Sequence, residues 1–195
     1  MDIDSHLAFR VRELRKARGY TLEALAEESG VSRSMISVIE RGETSPTAVV
    51  LNKLAAAFNV PLASLFAEHE RSRSELPIAR LAEQRTWTDP ESGYVRRHIS
   101  PVGFASPIEL AEVLLPAGAC VSFESAARQV TTHQQLWILD GEIVVTVGET
   151  TWRLKTGDCF ALTLGPYIVF KNPTRKPARY LIALTGSTST SGGRG

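Results

Sequence analysis

GVSRSMISVIERG, residues 30–42, decides the fold of the first third of the chain. Ser32 offers a side-chain oxygen that can accept from a backbone N–H two or three residues on, which a helix start requires. Gly42 tolerates the left-handed backbone that closes a helix. Between them, at about 100° per residue, the side chains sort into two arcs. Met35, Ile36 and Ile39 share one arc and are expected in the core. Arg33, Ser34, Ser37, Val38 and Arg41 share the other. Such a helix can enter the major groove of a duplex, where small side chains permit close approach. There Arg33 can take guanine through paired hydrogen bonds, Ser34 and Ser37 can reach base edges or phosphates, and Val38 can touch a thymine methyl.

The flanking sequence supplies more helices. Leu7 to Arg18 reads as a first helix, with Val11 and Leu14 on one face and Gly19 as a stop. Thr21 caps TLEALAEE, whose acids suit the positive end of a helix, and Gly30 ends it. Two short helices around a Gly turn are the parts of a helix-turn-helix. Ala48 to Phe58 is a further amphipathic helix, and Pro61 opens a last short one, PLASLF. RELRKARGYTLEALAE, GVSRSMISVIERG and the Pro46–Thr47 step together resemble the xenobiotic-response-element (XRE) type, lambda-repressor-like helix-turn-helix family, over about Leu7 to Phe66.

That resemblance implies roles. Thr21 would contact a phosphate. Ser32, Arg33, Ser34, Ser37 and Val38 would face bases or the sugar-phosphate edge. Arg41 and the loop GETSP, with Thr44, would approach the backbone. Leu22 stands where many members carry a base-reading Gln, so that contact is absent or apolar. Arg15 and Glu40 stand where the family has an ion pair that ties the first helix to the recognition helix, a role in the fold.

Charge gives little support to a DNA partner. The whole chain carries a formal +1, and from His6 to Phe66 eight Lys and Arg oppose six Asp and Glu, a balance of +2. That is weak for a binder that lives on phosphate contacts. It is adequate for a homodimer that doubles the contacts and adds helix N-termini as phosphate donors. Two recognition helices then require a two-fold-symmetric operator on double-stranded DNA. Cys120 and Cys159 sit in no CxxC or Cys/His cluster, so they read as reduced thiols and strand filler in a cytoplasmic protein. MDIDSHLAFRV lacks the basic start of an export signal, and no segment has the apolar length of a membrane span.

Beyond the helices the pattern changes. IELAEVLL, CVSFES, HQQLWIL, EIVVTVG, TWRLK, CFALTL, YIVFKN and ARYLIAL read as strands between Gly, Pro and Asp turns. PAGA (116–119), LDGEIVVTVG (139–148), LKTGD (154–158) and KNPT (171–174) resemble the cupin family over about Ile108 to Leu184. Many cupins hold a metal through His, His, Glu and a later His. Aligned on Gly141 and Asn172, those positions fall near Arg128, near Val130, on Gln134 and on Ile168, and His133 is one residue out of phase. No metal or other cofactor is expected. By strand parity Gln134, Leu136 and Ile138 face the lumen together, as do Ile168 and Phe170. Arg128 is either a lumen arginine able to clamp a carboxylate or an exposed loop arginine. Trp137, on the opposite strand face, reads as core or dimer interface.

The expected class is therefore an α+β multidomain protein. A helix-turn-helix bundle occupies residues 1–67, and a linker and partly strand-forming connector 68–106. A cupin β-barrel follows at 107–185 and a disordered tail at 186–195. The function expected is sequence-specific transcription regulation without catalysis, with a small-molecule effector in the barrel. The alternatives are a metal-dependent cupin enzyme with an appended DNA-binding domain, and a barrel that only dimerises.

Overall fold

The computed structural model describes residues 3–60, 62–66, 76–102, 104, 106–124, 132–165 and 167–186. Among these residues four α-helices come first: α1 (Ile3–Ala17), α2 (Leu22–Ser29), α3 (Arg33–Glu40) and α4 (Ala48–Ala57). Their ends are set by the caps read in the sequence. The Ala24 amide donates to Thr21 Oγ1 at 3.0 Å, and the Met35 amide donates to Ser32 Oγ at 3.2 Å. Gly30 closes α2 with φ 65°, a left-handed value that suits glycine. α1 begins four residues before the expected Leu7, and PLASLF forms only a 3-10 turn at Leu62–Leu65.

Ten strands follow. β1 (Thr86–Thr88), β2 (Val95–His98), β3 (Ile108–Leu115), β5 (Thr132–Asp140), β8 (Cys159–Thr163) and β10 (Ala178–Gly186) form one antiparallel sheet in the order β1-β2-β3-β10-β5-β8. β4 (Cys120–Glu124), β6 (Glu142–Val147), β7 (Thr150–Lys155) and β9 (Tyr167–Lys171) form the second, in the order β4-β9-β6-β7. This is the cupin-like pair of sheets that the turn motifs imply. β1 and β2 come from the stretch read as connector, so the large sheet starts before residue 107. The charged run at 68–75 and the tail from residue 187 lie outside the described residues.

The turns have identifiable causes. At Gly141, between β5 and β6, φ is 82° and a Cβ would stand 3.0 Å from both Ala178 Cα and the Pro177 oxygen. Only glycine allows the final strand to pass that close. The KNPT turn is built on Asn172, which is wholly buried. Its amide nitrogen donates to the Leu115 and Lys176 carbonyls at 3.1 and 2.7 Å, and its oxygen accepts from the Thr174 amide at 3.0 Å.

Helices and barrel share one continuous apolar core. α4 packs on β4. Phe66 meets Trp87 with ring centroids 5.8 Å apart, and Trp87 meets Tyr94 edge-on at 6.4 Å. The polar link is Asp89, which is buried. Its Oδ1 accepts from the Ala48 amide at 3.1 Å, one of the unpaired donors at the start of α4. Its Oδ2 accepts from the Ser92 amide at 3.1 Å. Asp89→Ala therefore strands the buried Ala48 amide of α4 and a half-buried amide, Ser92, in its own turn. Loss of about 1–3 kcal/mol of unfolding free energy is expected in urea titration of the full chain, against little change for the exposed neighbour Glu91→Ala.

Candidate functional site

The recognition helix is held from behind and open in front. Ile36 and Ile39 are wholly buried. Arg15 binds Glu40 side-on, Nε to Oε1 at 2.6 Å and Nη2 to Oε2 at 2.8 Å, while Nη1 donates to the Tyr20 carbonyl at 2.9 Å. The hydrogen bonds to Glu40 hold the Arg15 guanidinium above its ordinary value despite burial. Both side chains are mostly buried, so a two-pronged charge-assisted contact fixes the tilt of α3 against α1.

The opposite side carries the expected residues. Thr21, Ser32, Arg33, Ser34 and Arg41 are exposed; Ser37, Val38 and Thr44 are half-buried. Met35 departs from the expected core arc and is 39% exposed. The physical reason is that α3 has eight residues and packs through a narrow stripe centred on Ile36 and Ile39. Met35 lies at the edge of that stripe and joins the front face as an apolar contact the helical wheel misassigned.

The cations on this face are not bare. Arg33 Nε stands 2.5 Å from Glu23 Oε1 on the preceding helix. Arg41 pairs with Glu43 at 2.6 and 2.7 Å, and its Nη1 also donates to Ser37 Oγ at 2.5 Å. The Arg41 hydrogen bond holds the Glu43 carboxyl below its usual value. These pairs are solvent-exposed, where an ion pair is worth about 0.2–1 kcal/mol and is easily exchanged. An incoming phosphate or base edge can replace each carboxylate.

In the barrel, Gln134, Ile168 and Phe170 border a cavity of about 50 Å³. Leu136 and Ile138 are buried on the same strand face but belong to the packed core, not to the cavity wall. Arg128 lies outside the described residues. Among the described residues the cation on the cavity wall is Arg96 on β2. Asn52 of α4 and Leu62 of the 3-10 turn also border the cavity, so the helical domain closes part of it. His133 is exposed on the outer face, as strand parity requires. Among the described residues no group of three or more His, Cys, Asp or Glu is placed to hold a metal ion. Cys120 and Cys159, read as strand filler, are exposed free thiols on their strands. Trp137 is not core: it is 52% exposed, in an outer hollow with Leu181 and Ala183.

Arg96, His98 and Glu109 occupy the inner face where β2 meets β3. His98 lies opposite Ala111 and Arg96 opposite Val113. Burial, then the charges of Arg96 and Arg85, push the His98 imidazole down to about 4. Burial pushes the Glu109 carboxyl up, against the pull of Arg96.

A helix pair with a capped, exposed second member, carried on a cupin-like barrel, is the architecture of a two-domain DNA-binding regulator. The chain belongs to the helix-turn-helix family of transcriptional regulators, whose model matches residues 11–65. It is 43% identical over 61 residues to the HTH-type transcriptional regulator SutR of Escherichia coli; the match covers 31% of this chain and 34% of SutR. It is 25% identical over 187 residues to the HTH-type transcriptional regulator PuuR of Escherichia coli, covering 92% of this chain and 94% of PuuR. The fold is shared with a helix-turn-helix transcriptional regulator from Vibrio cholerae, at TM-score 0.73 and 24% identity, over 94% of this chain and 96% of that one. No helix among the described residues is long and apolar enough to cross a membrane.

Two outcomes are expected. Glu43→Gln should free Arg41, tighten binding to operator and unrelated DNA alike, and steepen the fall of affinity with salt by up to about one counterion. Fluorescence anisotropy across a salt series checks this; an unchanged slope would show that Arg41 does not reach phosphate. His98 gives a pH signature. Above pH 6.5 it is neutral folded and unfolded; between 6.5 and about 4 only the unfolded chain takes the proton, so stability falls as pH drops. Glu109 acts in the opposite sense: its raised carboxyl favours the folded state at low pH, and that gain is lost as pH climbs through its raised value. Replacing His98 by Gln should remove a loss on the order of 3 kcal/mol between pH 6.5 and 4, read by thermal unfolding of both proteins.

Proposed function

We propose that this regulator binds a two-fold-symmetric operator as a homodimer in the cytoplasm, and that a small molecule in the barrel cavity adjusts its affinity for DNA. The observation that carries the reading is the cavity wall. Asn52 and Leu62 belong to the DNA-binding domain, and the other wall residues belong to the barrel. A ligand there touches both domains at once. It can favour one placement of the helices over another through differential contact, which is what coupling between two sites requires.

Dimerisation is supported by charge. A balance of +2 over the helical domain, with Arg33 and Arg41 already paired to acids, leaves a single head short of phosphate contacts. Two heads on half-sites about one helical turn apart supply the deficit. Thr21 and Ser32 would place their helix N-termini at phosphates. Arg33, Ser34, Ser37 and Val38 would face the bases, and Arg41 and Thr44 the backbone.

A mobility-shift titration on the DNA upstream of its own gene tests the assignment. Arg33→Ala should weaken specific binding by about 1–3 kcal/mol and leave the melting temperature within error of wild type. Wild-type affinity in that variant would remove α3 from the bases. Sedimentation of the free protein should show a dimer, and shortening the half-site spacing by half a turn should abolish tight binding.

A further inference from the structure

The cavity has a chemistry of its own. Arg96 is 5% exposed, and its Nε has no hydrogen-bond partner. Its guanidinium lies 6.0 Å from the centre of the Phe66 ring, and among the described residues it makes no ion pair. Taking a cation out of water costs several kcal/mol unless charge and hydrogen bonds replace the solvent. Glu109, a half-buried carboxyl that feels the charge of Arg96, has an oxygen that is likewise unpartnered, and no ion pair joins the two. A buried arginine with an idle donor on a cavity wall is therefore provisioned for an anion that enters from outside.

The rest of the wall limits that anion. Leu164, Ile168, Phe170, Ile182 and Leu184 are apolar, and Gln134, itself buried, brings an amide donor. Among the described residues Arg96 is the one cation on the wall, and the charge of Arg96 reaches Glu109. A dianion would leave its second charge uncompensated. The volume of about 50 Å³ corresponds to a handful of water-sized occupants. It suits a carboxylate with a short tail. An amine would meet Arg96, and an alcohol would leave the charge unmatched.

Resting on the reading of the barrel as a sensor, we propose that the cavity is a site for a short aliphatic monocarboxylate, gripped by Arg96 with Gln134 beside it. The tail lies among Ile168, Phe170 and Leu184, and the occupant also touches Asn52 and Leu62 of the DNA-binding domain. Because Arg96 lies over Phe66 at the domain seam, the group that holds the anion is also in contact with the helical domain.

The test uses the full chain without DNA. Sodium salts of acetate, propionate, butyrate and valerate are compared at constant ionic strength with the matching amines, the matching alcohols and inorganic phosphate, by calorimetry and thermal shift. Saturable binding and a raised melting temperature are expected for at least one monocarboxylate and for none of the controls. Arg96→Gln should weaken that binding by at least about tenfold, with its unliganded melting temperature at or above that of wild type, since it removes an unpaired buried charge. Gln134→Leu, which leaves Arg96 in place, should weaken it less. Arg96→Lys should restore part of it. No binding by any monocarboxylate, equal binding by phosphate or an amine, or unchanged affinity in Arg96→Gln overturns the proposal. A separate mobility shift with and without the bound acid tests the sensor reading. Tight, Arg96-dependent binding without effect on DNA leaves the site standing and removes the regulation; a DNA response to amines or alcohols alone does the reverse.

Discussion

The buried carboxylate of Asp89 is the contact on which the two halves depend. It sits in a tight turn of the connector, accepts from Ser92 behind it, and reaches across to the first amide of α4. A helix start leaves several N–H groups without partners, and inside a protein each is costly to abandon. Thr47 satisfies one at Val50, and Asp89 satisfies another from the other domain. Phe66, Trp87 and Tyr94 then pack around this polar point. The helical bundle is thus seated on the barrel by directional bonds as well as by apolar area, and α4 becomes a wall of the barrel's own cavity.

The front of the recognition helix works on a different principle. Its cations are matched by acids from the same domain, through contacts that water weakens. On arbitrary DNA, an arginine gains a phosphate and loses a carboxylate, so the net attraction is small. On the right base, a paired contact to guanine is worth about 1–3 kcal/mol of discrimination. Each acid is therefore a partner that any other contact of its arginine must displace. Behind the same helix, Glu40 is largely shielded and held at two points by Arg15. One set of carboxylates fixes the helix, and the other set screens it.

Much of this was legible in the residue order. Thr21, Ser32 and Gly30 announced the helix ends because capping is local chemistry. Eight strands were visible because their turns carry Gly, Pro, Asp and Asn at positions that need them. What was hidden depended on neighbours distant in sequence. Met35 looked like core because a helical wheel has no knowledge of how wide the contact behind it is. The pairing of Arg33 with Glu23 joins two helices across a turn. Arg96 is hidden because it lies in a stretch that reads as a partly strand-forming connector, where nothing marks a wall residue. The alternation of Tyr94, Arg96 and His98 was the available signal, yet parity alone does not say which of the adjacent arginines points inward. The structure resolves it: Arg97 pairs with Glu112 on the other face of the sheet.

β10, the last strand in chain order among the described residues, lies in the middle of the large sheet, flanked along its length by β3 and β5. During synthesis, the strands on either side emerge from the ribosome with the place between them vacant. Their inner edges have no partner until the segment around Tyr180 arrives. The helices, whose contacts are mostly local, have no such wait. The local contacts of the helices can thus form before the barrel closes, and a chain cut short ahead of Ala178 would lack the strand that joins β3 to β5.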